Sequence, residues 1–145
     1  MTLDNLIGLG LEAIRPDAGA IIKLLSAAAR NRHDASITQL SNETRFDTAY
    51  KAVMQIANAA LQAEGFRIST NKPGHHQLMI QSLPLTLGIS RDVMICLDAL
   101  RKQRNIADYS GDLVTDAAVL TCLEQAEALW LVANDWLRLK HPQLL

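Results

Sequence analysis

Residues 41–65 read SNETRFDTAYKAVMQIANAALQAEG, and their spacing decides the fold class. Phe46, Ala49, Tyr50, Val53, Ala57, Ala60 and Leu61 recur at intervals set by the helical turn rather than by the pleat of a strand. Ser41 and Asn42 each offer a side-chain oxygen to cap the first turn. Gly65 stops the helix, because glycine accepts the left-handed backbone of a helix terminus. The alanines Ala49, Ala52, Ala57, Ala59, Ala60 and Ala63 combine high helix propensity with small volume, which lets neighbouring helices approach closely.

The pattern extends in both directions. Upstream, Asp17 caps a helix in which Ile21, Leu24, Leu25 and Ala28 face one way, with Ile37 and Leu40 resuming the pattern. Before it, Leu3, Leu6, Ile7, Leu11 and Ile14 predict a short amphipathic helix ending ahead of Pro16. Downstream, Phe66 to Gly74 gathers Ser, Thr, Asn, Lys, Pro and Gly, the composition of a loop. A helical segment from His75 to Leu87 is divided or kinked by Pro84 and ended by Gly88. Ser90 caps the next helix, which runs to Tyr109. After the turn Ser110-Gly111-Asp112, Thr115 caps a last long helix to Lys140. No strand-type alternation of useful length is present. Short connections favour antiparallel neighbours, so the fold class is all-α, an up-and-down antiparallel bundle of five or six helices. Residues 1–15 read as an N-terminal helical extension and 16–145 as the bundle.

Composition bounds the function. The chain has 145 residues, one ordinary domain able to bury a core without a disulfide or metal. Fourteen Lys and Arg against 15 Asp and Glu give a net charge of −1, which excludes a histone-like basic binder but not a local basic patch. A hydrophobic fraction of 49% excludes a disordered chain. Cys96 and Cys122 lie in apolar runs with no CxxC pattern, the setting of small core residues, and no metal or other cofactor is expected. With no basic leader before the first apolar run and no stretch of membrane-spanning length, a cytoplasmic protein off the membrane is expected.

Two features carry chemistry or assembly. Val119, Cys122, Leu123, Ala126, Leu129, Trp130, Ala133, Trp136 and Leu137 give the last helix a wide apolar face, either wholly core or core and dimer surface together. In the preceding helix the core line Val93, Leu97, Leu100 runs on through Arg104 to Ala107. A guanidinium on a core line is costly unless it is paired or faces a solvated cleft. Asp108 stands one turn on, and Asp98, Arg101, Asn105 and Asp108 share the neighbouring polar line, with Tyr109 next to them. This cluster reads either as a structural salt-bridge group or as a phosphate or RNA site, since arginine presents a planar donor fork to phosphate oxygens.

The segment Arg104-Asn105-Ile106-Ala107-Asp108-Tyr109 resembles the signature of the HEPN superfamily, small helical proteins of toxin–antitoxin, defence and nucleotidyltransferase-partner systems. Arg45-Phe46, then Ala49-Tyr50-Lys51-Ala52, Ala57, Ala60-Leu61 and Gly65 resemble that family's second long helix, and Gly74-His75-His76 resembles the start of its next element. The resemblance covers about Leu24 to Leu137. It implies a homodimer with two Arg104 side chains near a shared groove, and a partner that is RNA, a nucleotide or a nucleotidyltransferase protein. Ribonucleases of the family carry arginine, four residues, then histidine. Here Arg104 matches the arginine and Asn105 the polar residue after it, while Tyr109 stands in the histidine position. A phenol of pKa ~10 is a poor base at neutral pH where imidazole at ~6.5 is suited. The expected function is therefore non-catalytic, with Arg101, Arg104, Asn105, Asp108 and Tyr109 as candidate binding residues. The alternatives are a metal-independent endoribonuclease using Arg104 with Tyr109 or His76 as a non-standard base, and a purely structural dimerisation module.

Overall fold

The computed structural model describes residues 2–69 and 73–145. A 3₁₀ turn at Asp4–Leu6 precedes strand β1 (Leu11–Ala13), helix α1 (Ala18–Ala35) and helix α2 (Asn42–Ala63). Strand β2 (Phe66–Ile68) follows, then α3 (His75–Gln81), α4 (Leu83–Thr86), α5 (Arg91–Ser110), α6 (Asp116–Lys140) and a closing 3₁₀ turn at Pro142–Leu144. The class is all-α. Asp17, Ser41, Ser90 and Thr115 cap the four long helices, each accepting a backbone N–H at 3.0 to 3.2 Å. Pro84 has no N–H to continue the ladder and separates α3 from α4.

Helix α2 is the centre of the molecule. Its alanines Ala49, Ala52, Ala57, Ala59, Ala60 and Ala63 are all buried, so α1 and α6 pack against it across small side chains. The short link to α1 makes the two an antiparallel hairpin, tied by Asn31 Nδ2 donating to Gln55 Oε1 at 2.8 Å and Arg45 Nε donating to the Ala35 carbonyl at 2.9 Å. Helix α6 runs parallel to α2: Asn42 donates to Asp116 at one end, and Lys140 pairs with Glu64 at the other. Asn42 and Glu43 also hold the α5–α6 connection, through the carbonyl and N–H of Val114.

Three expectations are corrected. The amphipathic helix expected over Leu3–Ile14 does not form beyond its 3₁₀ turn, so residues 1–15 are not a helical extension; β1 pairs antiparallel with β2, Leu11 opposite Ile68 and Ala13 opposite Phe66. The chain already leaves helical geometry at Ile7, whose ψ is 127°, and Gly8 and Gly10 follow at φ +81° and +130°, a backbone that favours glycine; a Cβ at Gly10 would also lie 2.4 Å from Leu78 Cδ2. The strand buries Leu11 on the core, while Glu12 accepts from Arg67 Nε across the pair at 2.7 Å. The loop expected over Phe66–Gly74 accordingly begins with strand β2, and its residues 70–72 lie outside the described residues. Finally, α1 stops at Ala35, and the pattern of Ile37 and Leu40 does not extend it.

The apolar face of α6 is core. Val119, Cys122, Ala126, Leu129, Ala133 and Leu137 are buried, and Leu123, Trp130 and Trp136 pack against them. The residues that α6 leaves exposed are others: Leu120, Leu131, Val132 and Leu139. Among the described residues no helix is long and apolar enough to cross a membrane.

Candidate functional site: a cleft between three helices

The line Val93, Leu97, Leu100, Arg104 carries a cation to the edge of the core, where a half-open cavity of about 320 Å³ receives it. Helix α2 supplies Asp47, Tyr50, Lys51, Met54, Gln55 and Asn58; α3 supplies His76 and Met79; α5 supplies Arg104. Tyr50 forms part of the wall, its ring buried and its hydroxyl 3.3 Å from His76 Nδ1. The Arg104 guanidinium lies 5.1 Å from the centre of the same ring, within cation–π range.

Arg104 is not sealed. Its Nε is 3.6 Å from Asp47 and 3.9 Å from Asp108, distances of ion pairing but not of hydrogen bonding, and the side chain is 30% exposed. The two carboxylates orient the guanidinium, and its N–H groups have no hydrogen-bond partner among the described residues. Lys51 faces the same cleft with no carboxylate at ion-pair distance among the described residues.

Burial governs the two uncharged groups. Desolvation pushes the Tyr50 phenol up to about 12, against the pull of Arg104 and Arg101. Burial also pushes His76 below the usual imidazole value, helped by His75, whose ring meets it edge-on at 4.7 Å, and by Arg104 and Arg101. The Tyr50 hydroxyl and His76 Nδ1 share one hydrogen bond, whose direction follows the imidazole tautomer.

The residues expected from sequence divide in two. Arg104 and Asp108 stand at the cleft, and Arg101 is close behind, donating to Asp98 at 2.8 Å. That contact, before any burial cost, holds the Asp98 carboxyl below its ordinary value. Asn105 and Tyr109 are not brought to the cleft. Tyr109 is 92% exposed and lies with Asn105, Ile106 and Ser110 on a nearly flat apolar surface on another side of α5. Sequence reasoning missed the α2 residues. Asp47, Lys51, Gln55 and Asn58 fall at spacings of four, four and three, a polar stripe along a helix otherwise buried nearly all round. That stripe was the available signal. Cys122 is buried with its thiol pushed up to about 12 by desolvation, an inert core group. Among the described residues no group of His, Cys, Asp and Glu is placed to hold a metal ion. No protein-family model matches this chain, and no curated protein matches it.

Proposed function

We propose that this chain is a HEPN-like dimeric, non-catalytic protein that binds the phosphate of a nucleotide or RNA in the Arg104 cleft, or partners a nucleotidyltransferase, in a toxin–antitoxin or stress system. The observation that carries the binding reading is Arg104 itself: an oriented guanidinium with uncommitted donors, beside Lys51, at the mouth of a half-open cavity. Tyr109, in the position of the family's histidine, faces away from Arg104. His76 Nδ1 is engaged with the Tyr50 hydroxyl at 3.3 Å, so that nitrogen is not free to take a proton from a 2′-hydroxyl.

The dimer is supported by α5. Ile95, Ala99, Lys102, Ile106 and Tyr109 recur at alternating spacings of four and three and are all exposed, the pattern of a seam that pairs with another helix. A second reading, a metal-independent endoribonuclease, draws on one observation: His76 shares the cleft with Arg104.

One experiment separates the readings. Fluorescence anisotropy with a short labelled RNA, in EDTA, is expected to show binding that weakens with salt and is lost in Arg104→Ala, with the RNA intact on a gel. Cleavage abolished by both Arg104→Ala and His76→Ala selects the endoribonuclease; an RNA neither bound nor cut removes both.

A further inference from the structure

Away from Arg104 the cleft changes character. Gln55 and Asn58 stand one turn apart on α2, with the thioethers of Met54 and Met79 beside them. Both amides are oriented by the protein: Gln55 Oε1 accepts from Asn31 at 2.8 Å, and Asn58 Oδ1 accepts from Gln62 at 3.2 Å. With the oxygens engaged, the Nε2 and Nδ2 amines have no protein partner among the described residues. Each is a two-hydrogen donor. The cleft thus has a cationic end at Arg104 and Lys51 and an amide-donor end at Asn58, seven residues beyond Lys51, or about 10 Å at the helical rise.

We propose that the cleft takes one nucleotide whose base is guanine rather than adenine, with its phosphate on Arg104 and Lys51 and its O6/N7 edge on Gln55 and Asn58. The proposal rests on the phosphate reading above and adds the identity of the base. Size favours a single nucleotide, since 320 Å³ is at the lower end of the ~300–1,000 Å³ typical of small-molecule sites. The methionine sulfurs give a polarisable surface to a planar ring. Two amide donors favour an edge of two acceptors: guanine presents O6 and N7 side by side, whereas adenine sets its exocyclic amine beside N7, donor against donor.

The test is calorimetric titration of the intact protein with guanosine and adenosine 5′-monophosphates and with inorganic phosphate. Guanosine monophosphate is expected to bind at least about tenfold more tightly than adenosine monophosphate. Gln55→Glu and Asn58→Asp keep the acceptor oxygens that Asn31 and Gln62 use but lack the amine donors, and both are expected to erase this preference. Arg104→Ala is expected to weaken both nucleotides alike. Equal affinity for the two bases with the Arg104 dependence intact overturns the base assignment and leaves the phosphate site standing. A preference for adenosine overturns it equally. No binding of any nucleotide or of phosphate removes both claims. If an amide variant fails to fold, the ranking of the two nucleotides on the wild-type protein decides the matter alone.

Discussion

The hydroxyl of Tyr50 lies 3.3 Å from Nδ1 of His76, and the Arg104 guanidinium covers the same phenol ring at 5.1 Å from its centre. One buried side chain therefore holds an imidazole by a hydrogen bond and seats a cation on its ring. Tyr50→Phe removes the first role and keeps the second. The expected loss is ~0.5–1.5 kcal/mol, the worth of one hydrogen bond, with nucleotide or RNA affinity nearly unchanged. Urea denaturation measures the first quantity. A loss above ~3 kcal/mol would show that the hydroxyl supports far more than His76.

His76 gives the fold a pH dependence of known sign. Its folded value is pushed below the unfolded 6.5, so as pH falls the unfolded chain takes up the proton first. Stability is full above about 6.5, declines as pH drops through that value, and levels once the folded ring is protonated too. His76→Gln is expected to flatten this decline relative to wild type in denaturation curves across the range. A variant that tracks the wild type at every pH would assign the effect to other groups.

Arg104→Ala is expected to cost less than ~1 kcal/mol, because its carboxylate partners are half exposed and neither is hydrogen-bonded to it. A sealed, buried pair would instead cost ~3–5 kcal/mol. A thermal or chemical melt of this variant distinguishes an open cleft from a structural ion pair.

Much of this was legible in the sequence. Helix caps announce themselves through one residue and its local hydrogen bond, which is why Asp17, Ser41, Ser90 and Thr115 are found directly. Arg104 was legible as a cation breaking an apolar line. Its surroundings were not, because Asp47, Lys51 and His76 reach it only through the packing of α2 and α3 against α5. Tyr109 follows Asp108 in sequence, yet successive helix positions turn about 100°, and the phenol leaves the cleft that Asp108 borders. The N-terminal segment misled for a local reason: helical spacing of leucines was read across Gly8 and Gly10, whose positive φ angles break the helix before the spacing matters.

Gly10 itself supports a prediction. Gly10→Ala places a methyl group against Leu78 on a backbone that side chains rarely adopt, and is expected to cost ~1–3 kcal/mol. Faster hydrogen exchange at Ser69, whose N–H is donated to the Gly10 carbonyl at 2.7 Å, is expected alongside. A melt and exchange pattern identical to wild type would show that the β1 turn tolerates a side chain.

The central claim is that the cleft between α2, α3 and α5 binds nucleotide phosphate, and an amide-resolved NMR titration with guanosine 5′-monophosphate tests it most directly. Shifts concentrated on Lys51, Gln55, Asn58, His76 and Arg104, and absent in Arg104→Ala, are the predicted result. Shifts that instead gather on Asn105 and Tyr109, or no saturable shifts at millimolar nucleotide, would contradict it.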